Sequence, residues 1–157
     1  MGNRILKFVI SGLVLVAVAV GVLFLVDYIR YRKSPEYRAM QELQELERRY
    51  REDPYGGSTP EETLQLFIDA LKKGDVELAS KYFVLDVQEN KLKYLREIKE
   101  GNNLSVLINE LSFSYTKRSF GGSDSHYIMD IYNPQDDTHI QFDVAKSPNG
   151  LWKVVDL

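Results

Sequence analysis

This sequence predicts an α+β domain behind a membrane-anchoring segment, on three observations. A nineteen-residue run without a charge, FVISGLVLVAVAVGVLFLV, occupies residues 8–26, opening on Phe8 and closing on Val26. Apolar residues then recur at helical spacing from Leu64 to Leu111, and alternate along the chain from Phe113 to Val154. Helices first and closely spaced strands afterwards imply a helical layer on an antiparallel meander.

As an α-helix rising ~1.5 Å per residue, the apolar run covers roughly 28 Å, the hydrocarbon thickness of a bilayer. Arg4 and Lys7 precede it as in a signal peptide, but a signal core is shorter and ends in small residues. Here Leu23, Phe24, Leu25 and Val26 lead into Asp27 and Tyr28, all bulky. Lipoprotein processing needs a cysteine, and the chain has none. Residues 1–33 are therefore expected to form an uncleaved single-pass anchor, with the lipid bilayer as partner. Tyr28, Arg30, Tyr31, Arg32 and Lys33 suit the headgroup level, rings amphipathic and cations reaching phosphate. Basic residues flank both ends, so charge does not decide the orientation.

After the anchor, about 130 residues remain, enough for one modest domain and a connector. A formal net charge of −3 leaves no general nucleic-acid footprint. The lack of cysteine removes disulfides, zinc–thiolate sites and thiol nucleophiles together. No cofactor or metal motif is present: no HExxH, no phosphate loop, no G-x-S-x-G and no dinucleotide turn.

Residues 34–57 read as a charged helical stalk and a hinge. Ser34, Pro35 and Glu36 supply a cap, a first-turn proline and a first-turn acid. Met40, Leu43, Leu46 and Tyr50 make a narrow stripe in a segment dense in Glu, Arg and Gln. A solvated stalk with local ion pairs such as Glu45 with Arg49 is favoured over a seam pairing two copies, which needs several heptads. Asp53, Pro54, Tyr55, Gly56, Gly57 and Ser58 are rich in turn formers.

Residues 58–157 form the expected globular domain. Thr59, Pro60 and Glu62 announce a helix by cap, first-turn proline and capping box. Leu64, Phe67, Ile68 and Leu71 give it one apolar face, and Gly74 ends it. Asp75 caps a second helix with Val76, Ala79 and Phe83 inward. Leu92, Leu95 and Ile98 predict a third, and Leu104, Leu107, Ile108 and Leu111 a fourth, separated by Gly101, Asn102 and Asn103. Strands follow at Phe113 and Tyr115, at Tyr127, Met129 and Ile131, at Ile140, Phe142 and Val144, and at Trp152 and Val154. Gly121-Gly122, Asn133-Pro134 and Pro148-Asn149-Gly150 mark the turns between them.

The run STPEETLQLFIDALKKGDVELASKYF resembles the opening of nuclear-transport-factor-2-like domains, and GLWKVVDL is similar to their closing strand. The resemblance covers residues 58–157. It implies a cone of N-terminal helices packed on a curved four-stranded antiparallel sheet, the cystatin-like fold, with a cavity at its open end. It is nearest to small bacterial members behind an N-terminal membrane or lipid anchor, which implies a cell-envelope protein with its C-terminal domain outside the cytoplasm. Bitopic subunits of bacterial secretion or conjugation channels look similar, and imply self-assembly through sheet and helix faces. The matching motifs are features of fold and transfer no catalytic residue.

Enzymes on that fold use an Asp base, a Tyr donor or a His within the cavity. The cavity candidates of those types here are Tyr115, His126, Asp130, Tyr132, His139 and Asp143. Alternation sets His126, Asp130 and Tyr132 opposite Tyr127, Met129 and Ile131, and sets His139 and Asp143 opposite Ile140, Phe142 and Val144. If the apolar sets face the core, these polar groups face solvent and no catalytic residue is assigned. If the sheet curves the other way, a His and an Asp would make an acid–base pair for a small-molecule enzyme or carrier. The favoured expectation is a non-enzymatic binding or assembly module, with the stalk or a sheet face meeting a protein partner or a second copy.

Overall fold

The computed structural model describes residues 2–157, with side chains throughout except at residues 2–11, 14 and 15. The chain divides into two compact units, Met1–Glu47 and Arg48–Leu157.

The first unit holds helix α1, Gly2–Arg32, and most of α2, Pro35–Glu52. Among the described residues, no helix is long and apolar enough to cross a membrane. The expected bilayer segment falls partly outside the described side chains, at residues 8–11, 14 and 15, as do Arg4 and Lys7. Ser34 caps α2 as expected, its hydroxyl accepting from the Tyr37 amide at 3.1 Å. The helix buries no residue, and Met40 and Leu43 of its apolar stripe lie exposed.

The second unit is an α+β domain: α3 (Pro60–Lys72), α4 (Val76–Lys81), α5 (Gln88–Glu100) and α6 (Leu104–Leu111), then β1 (Tyr115–Ser119), β2 (His126–Asn133), β3 (Thr138–Lys146) and β4 (Trp152–Asp156). The strands form one antiparallel sheet in chain order, the expected four-stranded meander. The signals that open and close α3 have physical counterparts. The Thr59 hydroxyl accepts from the Glu62 amide at 3.1 Å. The Glu62 carboxylate returns its bond one residue earlier than a capping box requires, to the Ser58 amide at 2.5 Å. Gly74, at φ +69, stops α3, with the Asp75 amide reaching back to Ala70 O at 3.0 Å. Between α5 and α6 the left-handed residue is Asn102, at φ +56, and Asn103 makes no side-chain cap.

The core lies between α3 and the sheet. Leu64, Phe67, Ile68 and Leu71 of α3 meet Met129 and Ile131 of β2, Phe142 and Val144 of β3, and Trp152 and Val154 of β4. Phe67 centres it, its ring 5.5 Å from that of Phe83 and 5.9 Å from that of Phe142. These aromatic groups are fully buried, so the helix-facing side of the sheet is filled at that level.

The segment expected as a hinge is built into this unit. Trp152 N–H donates to Gly57 O at 2.8 Å, Gly57 N–H donates to the Thr63 hydroxyl at 3.1 Å, and that hydroxyl lies 3.0 Å from Trp152 O. A Cβ on Gly57 would stand 2.5 Å from the Thr63 nitrogen, so only glycine permits this approach. Beside it, Lys153 is wholly buried. Its ammonium donates to Lys81 O at 2.8 Å and lies 2.7 Å from Asp53 Oδ2. That contact is a direct ion pair with both side chains buried. Burial pulls the Lys153 amine below its ordinary 10.5, and Asp53 opposes the shift.

Candidate functional site

Strand register decides which candidate residues share a surface. Across β2 and β3, Asp130 opposes Gln141, Tyr132 opposes His139 and Ile128 opposes Asp143. Across β1 and β2, Thr116 opposes Asp130 and Arg118 opposes Ile128. Partners in an antiparallel pair lie on one face, so His126, Asp130, Tyr132, His139 and Asp143 all lie on the side opposite Met129, Ile131 and Phe142. Tyr115 opposes Ile131 and belongs to the other side, away from the remaining five.

Within that face the polar groups pair locally. His126 Nε2 lies 2.5 Å from Asp143 Oδ1, a diagonal contact between neighbouring strands. Phe120 stacks against the His126 ring with centroids 4.5 Å apart. Asp130 accepts from Arg118 Nε at 2.8 Å and from Gln141 Nε2 at 3.0 Å, so both its oxygens are engaged. His139 stacks on Tyr132 at 4.6 Å and 29°, and the Tyr132 hydroxyl donates to Asp137 at 3.3 Å. The structure thus brings His126 to Asp143, separates both from Asp130, and gives His139 an aromatic neighbour.

Exposure separates these clusters from an enclosed site. The His126 and Asp143 side chains keep 25% and 22% of their surface, so the pair is shielded from one side only. Tyr132 and Phe120 are more open still. Ile128 is the exception, buried at the middle of the face between Arg118 and Asp143 in register. Chemically the face offers one oriented imidazole, one carboxylate already neutralised by a guanidinium, and exposed aromatic rings. Among the described residues, no three His, Asp or Glu side chains are grouped to hold a metal.

Tyr115 has a different setting. It lines a groove of about 400 Å³ between α3, the end of α6 and the start of β1, together with Leu64, Ile68, Leu111 and Phe113. Glu61 at its rim accepts from the Lys117 ammonium, and this contact holds the Glu61 carboxyl below its ordinary 4.5.

Sequence reasoning gave no site role to Arg118, Gln141, Asp53 or Lys153, reading Gln141 only as part of the polar strand face and Asp53 only as part of the hinge. Arg118 stands opposite Ile128 and reaches Asp130 diagonally, a contact that becomes visible only once the β1–β2 register is known. Nothing in the sequence links Asp53 to Lys153, because the contact depends on how the chain returns past β4. No known protein family, curated protein or solved structure matches the chain.

Proposed function

We propose that the chain is a single-pass membrane protein of the cell envelope whose C-terminal domain, on the nuclear-transport-factor-2-like plan and outside the cytoplasm, binds a protein partner without catalysing a reaction. The observation that carries this reading is the state of the polar sheet face. Its ionisable groups are paired with one another on an open surface, whereas catalysis on a small molecule asks for an enclosed pocket with a group poised towards the reacting atoms. The helix-facing side, where a cone cavity would open, is occupied by Phe67, Phe142 and Met129.

Membrane tethering is supported by the uncharged run at residues 8–26 and by its described side chains. Leu13, Val16, Leu23 and Phe24 are each at least 62% exposed, a large apolar surface that a bilayer would cover. Cysteines introduced at Asn3 and Asp124 test the topology, since the chain has none of its own. An impermeant thiol reagent on intact cells should label Asp124→Cys alone; labelling of Asn3→Cys alone would reverse the orientation.

The 2.5 Å contact of His126 with Asp143 favours one second reading, a small-molecule enzyme or carrier with an Asp-oriented histidine. Thermal shift of the full chain in detergent, against steroid-sized and fatty-acid-sized probes, separates the two. The binding module should gain no more than about 1 °C from any of them. A larger shift that His126→Ala or Asp143→Ala abolishes would install the enzyme or carrier reading instead.

A further inference from the structure

Where α1 gives way to α2, the chain gathers positive charge that no carboxylate neutralises by contact. Arg30 and Arg32 close α1, Lys33 occupies the turn, and Arg38 lies in the first turn of α2. The junction is tight: Lys33 N–H donates to Ile29 O at 3.2 Å and Ser34 N–H donates to Tyr31 O at 3.0 Å. Across it the Tyr31 and Tyr37 rings meet edge to face, their centroids 5.3 Å apart. That contact ties the last turn of α1 to the first turn of α2, so the cations on either side share one patch. Two carboxylates stand nearby in sequence, Asp27 and Glu36. Glu36 is engaged at the helix start, where its own amide and then the Ser34 hydroxyl hold its carboxyl below the ordinary 4.5. Among the described residues no carboxylate forms an ion pair with Arg30, Arg32, Lys33 or Arg38, and all four are exposed. Arg32 lies over the Tyr28 ring at 5.1 Å, which leaves the edges of its guanidinium open to acceptors.

We propose that this junction binds the headgroups of anionic phospholipids, selecting lipids of net negative charge from their zwitterionic neighbours. This rests on the membrane-anchored reading and names the lipid that the anchor meets. Charge and apolar surface select the occupant together. A phosphodiester accepts from guanidinium and ammonium groups alike, but in a zwitterionic lipid its charge is cancelled by the lipid's own ammonium. Four cations beside two acids therefore gain most from a lipid whose charge is left over. A free phosphate or a polyanion in solution would satisfy those cations and leave Leu23, Phe24 and Leu25, which stand exposed just before them, in water. A lipid answers both, with hydrocarbon against the apolar residues and phosphate against the cations. Tyr28, Tyr31 and Tyr37 lie between the two, at the depth where amphipathic rings settle.

Native mass spectrometry of the full chain in detergent tests the proposal with phosphatidylglycerol and phosphatidylcholine of matched acyl chains, supplied in equal amounts. The chain should retain phosphatidylglycerol in preference by about tenfold. That preference should shrink as salt is raised. Arg30→Gln, Arg32→Gln, Lys33→Gln and Arg38→Gln together should bring the two lipids near parity. Lys72→Gln, Lys73→Gln, Lys93→Gln and Lys146→Gln together remove as much charge from the second unit and should leave the preference intact. Equal retention of the two lipids by the unaltered chain overturns the proposal, as does a preference that survives the junction variant or is lost in the control variant. Displacement of phosphatidylglycerol by an equal concentration of glycerol phosphate also overturns it, and would make a free phosphate the ligand. Alkaline carbonate extraction of cell membranes keeps the two readings apart. Release of the chain would sink the anchor and this proposal with it, whereas a chain retained in the membrane without lipid preference would sink this proposal alone.

Discussion

Both outer strands of the sheet are five residues long, yet Trp152–Asp156 is buried over its first three residues and Tyr115–Ser119 is exposed throughout. The difference lies in what the chain lays along each edge. Beside β4, Val84 N–H donates to Val154 O and Val154 N–H donates to Tyr82 O, both at 2.9 Å, and Gly57 O takes the Trp152 amide. Beside β1 there is only the groove. The covered edge has come to include a wholly buried lysine, and the open edge displays two cations, a common guard against indiscriminate strand pairing. One edge is thus part of the core, and the other lies open among the described residues.

The comparison breaks most readily at the buried ion pair. Asp53→Ala should lower unfolding stability by about 3–5 kcal/mol, because it strands the Lys153 charge in the interior. Denaturant unfolding followed by the fluorescence of Trp152, the single tryptophan, measures it. The double variant Asp53→Leu with Lys153→Met should recover much of that loss, and a double-mutant cycle showing simple additivity would mean that the two charges do not interact. Gly57→Ala comes next, at about 1–3 kcal/mol, since the new methyl group collides with the backbone at Thr63.

Dependence on pH is smaller and has the same sign at the two ends of the scale, stability rising with pH at both. Between the lowered value of folded Lys153 and its ordinary 10.5, the unfolded chain binds more protons than the folded one, so stability should rise with pH there. The Lys153→Met double variant should lose that slope. The Asp156 carboxyl is held below its ordinary 3.8 by Lys91, and Glu61 below 4.5 by Lys117. Both contribute stability above those ordinary values and lose it as pH falls through their depressed ones. Lys91→Ala and Lys117→Ala should each flatten the acid limb of the stability curve. The smallest effect belongs to the open region: Arg118→Ala should change stability by about 0–1 kcal/mol, because its pair with Asp130 is largely solvated.

Local signals made most of the fold legible in advance. Thr59 with Pro60, Gly74 with Asp75, and the alternation at Met129, Ile131, Phe142 and Val144 each act within a few residues, and each gave an element near its expected place. The glycines at 121 and 122 take φ +60 and +75, as a tight turn between strands demands. Residues 53–57 escaped that reading because their composition suits a loose linker equally well as a tight approach. What fixes them is Trp152 and Lys153, far along the chain. The candidate site was legible as a face but not as pairs: alternation put His126 and Asp143 on one side of the sheet. Only the register of β1 and β3 against β2 decides that these two meet and that Asp130 joins Arg118.

The bonds that sew residues 53–57 to β4 also impose an order in time. Asn149 donates to Asp53 O across 96 residues, and the Thr63 hydroxyl reaches Trp152 across 89. During synthesis the ribosome delivers Asp53 and Gly57 long before the strand that holds them. Contacts of such long range are slow to close, since a large loop must be ordered before they reward it. Until the strands emerge, a nascent chain with its α3 helix already formed carries Phe67 and Leu71 without the sheet that buries them, and such exposed apolar surface favours contact with other chains.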